Sequence, residues 1–389
     1  MDKELAFVLI NPYTISKSRT GGVLSRISSR TGLDFVAARM FGPSQELVRK
    51  LADIARAAPD IASAEERNSL ADYVLGNYGP DAKGRRRRVL MVLFEGENAV
   101  AKVKAAVGPL RPNAESGESV RDTYGDYILD EHGKVRYVEP AVLIGRSLET
   151  VAQVLRLFAE YTDRDGGIID DAGDVAKGDS IHKTLVIIKP DNFRFPSSRP
   201  GNIIDIFSAS GLRIVAAKVH RMSVNEGLEF YGPVQQFLRT KLKGMVAERA
   251  SKVFSTEFEF TIPDAAKQQI GETLGPLFGD QQFYKIVEFM TGLNAPDIAP
   301  EDRKKPGKER CLVLIYSGVN AVEKIRKLLG PTDPSKAEPG SVRKEFGQNI
   351  MVNAAHASDA PESCTREMGI VKPEKDTIRP LVEQYYPAK

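Results

Sequence analysis

Cysteine is almost absent from the chain, which has only Cys311 and Cys364 among its 389 residues. Two cysteines are too few for a disulfide framework or a cysteine-rich metal site. The sequence also lacks any apolar run close to the roughly 18 residues that span a bilayer. Its first residues contain neither a basic segment nor a small-residue cleavage site. These absences predict a cytoplasmic protein without a membrane segment or a secretory signal.

An excess of either charge is also missing, because 55 Lys and Arg residues face 52 Asp and Glu residues, for a net charge of +3. Such a balance does not require a nucleic-acid partner. The one dense basic block is Arg85–Arg88. It fits either an anion or nucleic-acid patch or a solvated loop before a strand, and the sequence leaves both interpretations open.

The two commonest nucleotide-binding motifs are absent. There is no G-x-x-x-x-G-K-[ST] loop and no G-x-G-x-x-G turn anywhere in the sequence. Any nucleotide chemistry must therefore use a different arrangement of residues. Histidine is scarce as well, with His132, His182, His220 and His356 as its four positions. We interpret the first three as structural or merely exposed.

The chain contains an internal repeat. Residues 24–40 and 203–219 share seven of seventeen positions, and residues 89–108 and 311–330 share seven of twenty. The two matches keep their order, which indicates a tandem duplication rather than a solenoid. Their offsets are 179 and 222, so the second copy carries about 43 additional residues between the matched blocks.

The repeat divides the chain into two domains, as its length also suggests. A Gly- and Asp-rich segment at 163–181 reads as a linker. We therefore predict a first repeat at 1–162 and a second repeat at 182–389, with an insertion at about 232–280.

Each repeat has the same predicted order of elements. The equivalent segments are the opening strands Ala6–Ile10 and Thr184–Ile188, the helices that close at Gly32 and Gly211, the buried strands Val89–Phe94 and Leu312–Tyr316, and the helices that begin near Asn98 and Asn320. A last strand is expected around Asn349–Ala355. This order predicts an α+β fold of two tandem ferredoxin-like (βαββαβ) domains, each with an antiparallel four-stranded sheet and surrounding helices.

His356 has an unusual neighbourhood. It follows a strand end, is flanked by alanines, and precedes Ser358-Asp359-Ala360-Pro361-Glu362, which we interpret as a helix start with a hydroxyl or acidic N-cap. Neutral imidazole is a nucleophile near pH 7, and a carboxylate on its second nitrogen would fix the tautomer. From the residues alone, a reactive histidine and a satisfied core histidine remain equally open.

Positive and hydroxyl side chains lie at strand and loop ends in the same repeat. Lys189 ends the opening strand, Arg326 lies on the helix after the central strand, and Thr332 and Arg343 flank a Pro- and Gly-rich loop. Each of these is more often a solvated surface group than a ligand. Together they suit a polyphosphate, since charge stabilisation dominates phosphoryl transfer.

Three segments of the second repeat resemble the nucleoside diphosphate kinase family. They are TLVIIKPD (184–191), GLRIVAAKVHRMS (211–223) and LLGPTDPSKAEPGSVRKEFGQNIMVNAAHASDAPES (328–363). The resemblance covers about 182–389 apart from the insertion, and it implies a ferredoxin-like fold. It also implies a ping-pong phosphotransferase whose Mg²⁺ is held mainly by the nucleotide phosphates, with no dedicated metal site in the protein.

The resemblance assigns roles by position. His356 matches the histidine that is phosphorylated, Glu367 matches the carboxylate that orients it, and Ser358 lies nearby. Lys189 matches a residue that serves both catalysis and phosphate binding. The other residues that match phosphate and ribose contacts, or that could stack on the base, are Tyr231, Phe283, Arg326, Thr332, Arg343 and Asn353.

The sequence departs from the family pattern at a few positions. Met351-Val352 stands where the family has Gly-Arg, so a supporting arginine is missing, and Ala357 replaces a glycine. The family's base-stacking phenylalanine aligns with Gln282, next to Phe283. A rival interpretation is therefore a non-catalytic nucleotide-binding regulatory or structural protein on the same fold.

The first repeat has lost the corresponding groups. Asn11 replaces the lysine, Lys104 and Leu110 replace the first arginine and the threonine, Arg121 is retained, and an apolar residue near Leu143 falls opposite His356. We predict a catalytically silent first repeat that acts as a pseudo-dimer partner of the second. The expected partners are nucleoside tri- and diphosphates, with self-association and no membrane partner.

Overall fold

The computed structural model describes residues 3–111, 117–172 and 180–387. Residues 173–179 of the predicted linker lie outside these ranges. The chain forms two compact units, one of residues 1–220 with 312–389 and the other of residues 221–311. Within the described residues, no helix has the length and apolar character needed to cross a bilayer.

The first repeat begins with an apolar strand and ends with a long helix. Its elements are β1 (Lys3–Ile10), α1 (Pro12–Ser16), α2 (Thr20–Thr31), β2 (Asp34–Phe41), α3 (Gln45–Ala57), α4 (Ala64–Asn77), β3 (Val89–Glu97), α5 (Ala99–Val107), α6 (Val120–Tyr124), β4 (Asp126–Leu129), β5 (Val135–Glu139), β6 (Val142–Leu143) and α7 (Leu148–Asp165). The sheet has the order β2-β3-β1-β6 and every pairing in it is antiparallel.

The second repeat follows the same plan in the larger unit. Its elements there are β7 (Ile181–Ile188), α8 (Arg199–Ser208), β8 (Arg213–His220), β9 (Cys311–Val319), α11 (Ala321–Leu329), α12 (Val342–Phe346), β10 (Ala355–Ala357), α13 (Pro361–Val371) and α14 (Arg379–Tyr385), with α9 and α10 in the other unit. The sheet order is β10-β7-β9-β8. Both sheets thus have the fourth-first-third-second order of the ferredoxin-like fold, as the sequence predicts.

Equivalent backbone features recur in the two repeats. Gly32 caps α2 with a φ of 63°, and Gly211 has a φ of 67° shortly after α8. Asn98 and Asn320 precede α5 and α11, as predicted, and both have a φ of 53°. Neither side chain accepts a hydrogen bond from its helix. Each asparagine therefore serves as a turn residue in the left-handed conformation and not as a side-chain cap.

Several predicted strand boundaries are wrong, among them the start of the first strand, which lies at Lys3 rather than Ala6. The last strand begins at Ala355, not near Asn349, because the Asn349 side chain accepts hydrogen bonds from the Met351 and Val352 amides and forms a turn. The opening strand of the second repeat starts at Ile181, three residues earlier than expected. His182 therefore lies within a strand and not at the edge of a linker.

The smaller unit consists mainly of a helical hairpin. The helices α9 (Val224–Glu257) and α10 (Asp264–Thr291) include the predicted insertion. Gly271, Gly275 and Gly279 recur every fourth residue along α10. A Cβ on Gly275 would lie 2.7 Å from the Lys243 Cα, and the other two glycines meet α9 backbone as closely, so their lack of side chains allows the helices to approach.

The two repeats contact each other within the larger unit. Helix α2 packs against α8, and β2 lies against β8. The helices approach so closely that a Cβ on Gly201 would lie 2.4 Å from the Gly21 carbonyl oxygen. Ser25 donates a hydrogen bond to the Ser198 carbonyl at 3.0 Å across the same junction.

Candidate active site

The ends of two neighbouring strands bring Lys189 and His356 to the same edge of the second sheet. In the β7–β10 ladder, His356 pairs with Ile187 and Ala355 pairs with Ile188, directly before Lys189. The Lys189 amide donates to the Ala354 carbonyl at 2.9 Å. Sheet pairing therefore fixes the backbone of both residues before any side-chain contact is considered.

His356 belongs to a chain of three side chains. Its Nε2 lies 3.0 Å from Oε1 of Glu367, and the Ser358 hydroxyl donates to Oε2 of the same carboxylate at 2.7 Å. Glu367 is buried on α13, whereas the His356 side chain is 23% exposed. With Nε2 carrying the proton that Glu367 accepts, the imidazole is held in the tautomer whose lone pair is on Nδ1.

The helix start behind His356 differs from the sequence prediction. Helix α13 begins at Pro361 with Ala360 as its N-cap, and no side chain caps it. Ser358, expected as a possible cap, instead orients Glu367. A hydrogen bond from Ser363 lowers the pKa of Asp359, with smaller contributions from Arg326 and His356.

Lys189 is buried against the loop that precedes β10. Its Nζ donates to Oδ1 of Asn353 at 2.7 Å and to the Met351 carbonyl at 3.2 Å. Burial, and then the charge of Arg343, lower the pKa of Lys189 to about 8, while Asp191 acts in the opposite direction. The lysine is therefore cationic at neutral pH but close to its titration range.

Asn353 and Arg343 hold the surrounding loops. The Asn353 amide donates to the Thr332 carbonyl at 3.1 Å and to the Ile350 carbonyl at 2.8 Å. The Arg343 guanidinium donates to the Gly330 and Ala355 carbonyls at 3.0 and 3.1 Å. Both predicted phosphate-binding residues thus also have a structural task.

The other predicted contact residues occupy different settings. Thr332 is exposed on its loop, and Arg326 is exposed on α11, where it lines an open cleft with Asp359 and His182. Tyr231 on α9 and Phe283 on α10 belong to the helical unit and are buried there. Their contact with a nucleotide stays a prediction.

One residue of the site received no role from the sequence. The side chain of Asp191 is 5% exposed, and neither of its carboxylate oxygens has a hydrogen-bond partner in the described part of the chain. Burial raises its pKa, and the Arg199 guanidinium lies 3.9 Å away. The Lys-Pro-Asp motif contained this residue, but no spacing rule indicates that its carboxylate is buried beside the lysine.

In the first repeat, Leu143 occupies the position of His356. It pairs with Leu9 in the ladder of β1 and β6, one step from the strand end, as His356 pairs with Ile187. Ala141 and Ala354, two residues before each, have φ values of 60° and 67°. The first repeat therefore keeps the backbone arrangement of the site but has a leucine in place of the histidine.

A buried polar cluster stands where the lysine would be. Asn11, at the position of Lys189, donates to Glu139 at 2.9 Å and accepts from the Tyr78 hydroxyl at 2.6 Å. The Tyr73 hydroxyl donates to the other oxygen of Glu139 at 2.5 Å. These groups satisfy one another, and a carboxylate at this place opposes a phosphate.

The described residues contain no group of three or more His, Cys, Asp or Glu side chains that could hold a metal ion. The donors near His356 are mostly cations and hydroxyls, which suit phosphate oxygens rather than a bare divalent cation.

The sequence matches a known protein family and individual members of it. Residues 304–377 match the family model described as nucleoside diphosphate kinase. The nucleoside diphosphate kinase of Bdellovibrio bacteriovorus is 31% identical over 191 residues, which cover 49% of this chain and 92% of that protein. That of Nitrosomonas eutropha is 30% identical over 193 residues, covering 50% and 94%. The structure of an NDP kinase from Pyrobaculum aerophilum aligns at 29% identity over 49% of this chain and 95% of the other, with a TM-score of 0.33.

Proposed function

This chain belongs to the nucleoside diphosphate kinase family, and from that membership we propose that its second repeat transfers the γ-phosphate of a nucleoside triphosphate to a nucleoside diphosphate through a phosphohistidine at His356. The hydrogen-bonded chain of His356, Glu367 and Ser358 carries the proposal. It holds the imidazole in one tautomer, with the nucleophilic nitrogen Nδ1 unprotonated, and Lys189 lies at the end of the neighbouring strand.

In the first half-reaction, Nδ1 of His356 attacks the γ-phosphorus of the triphosphate. A nitrogen–phosphorus bond forms, the bond from the γ-phosphorus to the β,γ-bridging oxygen breaks, and the nucleoside diphosphate leaves with that oxygen. Glu367 accepts a hydrogen bond from the Nε2–H group throughout and stabilises the positive charge that develops on the ring. Ser358 keeps the carboxylate in place.

In the second half-reaction, a terminal oxygen of another nucleoside diphosphate attacks the phosphorus and His356 leaves as neutral imidazole. The charge on the transferring group is met by Lys189, Arg343 and Arg326, with Thr332 and Asn353 contacting phosphate or ribose. Lys189 is pre-positioned by Asn353, so little rearrangement is needed during transfer. Tyr231 and Phe283 are assigned to the nucleoside end.

We assign Mg²⁺ to the nucleotide rather than to the protein. Bound to the phosphates, it would neutralise part of their charge and help to orient the polyphosphate chain. The protein's own part is to supply the fixed cations around them.

The first repeat is proposed to be a silent partner. Leu143 cannot accept a phosphoryl group, and Glu139 repels one. Its packing of α2 and β2 against α8 and β8 supports a pseudo-dimer within one chain. Further self-association and a cytoplasmic location stay predictions.

Radiolabelled ATP tests the phosphohistidine. Incubation of the protein with ATP labelled in the γ-phosphate should produce acid-labile label on the chain, and added GDP or UDP should remove it as labelled triphosphate. The variant His356→Ala should take up no label, because no other side chain of the site is a comparable nucleophile. His132→Ala is the matched control, since His132 is an exposed turn residue of the first repeat.

The outcomes separate the proposal from its rival. Nucleotide binding by calorimetry without any label would instead favour the non-catalytic nucleotide-binding protein. Label that persists in His356→Ala would contradict the assignment of the nucleophile. Label that stays on the protein after GDP is added would indicate a phosphocarrier.

A further inference from the structure

A cavity with both polar and apolar walls lies at the junction of the two repeats, away from His356. Its volume is about 80 Å³. Its walls include Ser16, Ser18 and Thr20 from the first repeat and Ser208 from the second, together with two arginines and a tyrosine described below. All of these residues belong to the larger unit, and none of them has a place in the proposed phosphotransfer reaction.

Two arginines from different repeats meet in this cavity. Arg88 directly precedes β3, and its guanidinium donates to the Ile214 carbonyl on β8 at 2.6 Å. Arg213 is the first residue of β8. Burial, and then the charge of Arg213, lower the pKa of Arg88 to about 10.

These cations have no acidic counterpart. No Asp or Glu lines the cavity, and neither Arg88 nor Arg213 forms an ion pair in the described ranges. Two like charges held together in a half-buried position are costly unless an anion lies between them. Arginine is also the side chain best suited to bind phosphate through paired hydrogen bonds.

Tyr316 gives an independent indication of a ligand. Its side chain lines the cavity and is 1% exposed, and its hydroxyl has no hydrogen-bond partner among the residues that the structure describes. A buried hydroxyl without a partner costs free energy, so natural structures rarely leave one unsatisfied. An anion in the cavity would accept from this hydroxyl.

We propose that the cavity is a binding site for a phosphate group, held by Arg88 from the first repeat and by Arg213 and Tyr316 from the second. The hydroxyls of Ser18 and Thr20 add donors at the start of α2. Of the basic block Arg85–Arg88, only Arg88 belongs to this site, because Arg85 and Arg86 pair with Asp81 and Asp171. It does not depend on the proposed kinase reaction.

Phosphate binding by the full chain tests the site. Calorimetric titration with inorganic phosphate should detect a component whose affinity falls at least about tenfold in Arg213→Gln, since losing one charge-assisted contact is worth roughly a factor of ten. Tyr316→Phe should weaken the same component, and Lys189→Gln should leave it unchanged. Arg87→Gln is the matched control, because Arg87 belongs to the same basic block but donates to the Gly76 carbonyl.

A second arm with ADP distinguishes the source of the phosphate group. Loss of one of two ADP sites in Arg213→Gln supports a nucleotide as the ligand, and loss of phosphate binding alone supports free phosphate. Binding that is equal in the wild type, Arg213→Gln and Tyr316→Phe overturns the proposal, as does a complete lack of phosphate binding outside the active site. Arg88→Gln is a third variant if either of the others fails to fold.

Discussion

Glu367 determines which nitrogen of His356 carries the proton. Its carboxylate engages Nε2 at 3.0 Å and is itself held by Ser358 at 2.7 Å. A buried carboxylate in this position both fixes the ring and stabilises positive charge on it. The residue is therefore expected to act through the histidine, without touching the phosphate.

We expect Glu367→Gln to lower kcat by about 10²–10⁴-fold, the usual range for a group that assists proton and charge movement. Nucleotide affinity should change little, because the Glu367 carboxylate is buried behind His356. Steady-state kinetics and ADP binding measure the two quantities. Glu362→Gln, an exposed change on the same helix, is the control and should have wild-type kinetics. A kcat within a factor of two of wild type for Glu367→Gln would contradict the role.

Lys189 should give the activity an alkaline limb. With its pKa at about 8, the ammonium group is charged below pH 8 and loses its charge as the pH rises through that value. We expect kcat/KM to fall above pH 8, and Lys189→Arg to move this limb to higher pH because guanidinium stays protonated. The measurement is a pH profile from 6 to 10, that is, roughly two units to either side of the pKa.

The control is Lys183→Arg, which alters a lysine of the same strand that pairs with Asp170 at 2.6 Å. A flat wild-type profile would rule out the assignment.

The same lysine affects stability in the opposite direction, because its contribution to the free energy of unfolding increases as the pH rises. Between about 8 and 10.5 the unfolded chain binds more protons at this lysine than the folded chain does. Its contribution to the free energy of unfolding therefore rises with pH across that window.

At the scale of elements, the loop before the last strand is shaped by an arginine in both repeats. Arg121 donates to the carbonyls of Gly108, Pro140 and Val142, and Arg343 donates to the equivalent Gly330 and Ala355. The retained arginine of the first repeat thus holds the same loop as its counterpart in the second.

We expect Arg121→Leu to lower the free energy of unfolding by about 3 kcal/mol, because buried carbonyls lose a charged donor. Acid-labile label should be unaffected, since Leu143 stands at the position of His356 in the first repeat. Chemical denaturation and the labelling assay measure the two effects. Arg136→Leu on the exposed side of β5 is the control, and equal denaturation midpoints for the two variants would contradict the prediction.

The sequence predicts the elements better than their ends. Apolar runs and the repeat reveal both sheets. The long match at 328–363 locates His356, the match at 184–191 locates Lys189, and the resemblance assigns Glu367 by position. The final strand was misplaced because the turn at Asn349 depends on side-chain hydrogen bonds, which apolar periodicity does not reveal. Asp191 and Tyr316 were missed for a related reason, since a buried unsatisfied group is visible only after the chain is folded.

At the scale of the whole molecule, the contact of α2 with α8 depends on glycine. A Cβ at Gly201 would lie 2.4 Å from the Gly21 carbonyl oxygen and 2.4 Å from the Ser25 amide nitrogen, both of which are backbone atoms that cannot rotate away. The helices must therefore separate if any side chain is added there.

We expect Gly201→Ala to lower the free energy of unfolding by about 1–3 kcal/mol, the usual cost of overpacking. Gly369→Ala is the matched control, because that glycine lies on α13 with nothing within 4 Å of an added Cβ. It should raise stability by up to about 1 kcal/mol through helix propensity. Thermal denaturation of both variants decides the matter, and a stabilised Gly201→Ala would show that the junction is looser than described.

The junction of α2 with α8 joins two parts of one polypeptide, and this has a consequence for dilution. A contact between separate subunits weakens as the protein concentration falls, because dissociation is favoured by mass action. Two partners on the same chain remain at a fixed effective concentration however dilute the solution. The paired arrangement of the repeats is thus available to a single molecule.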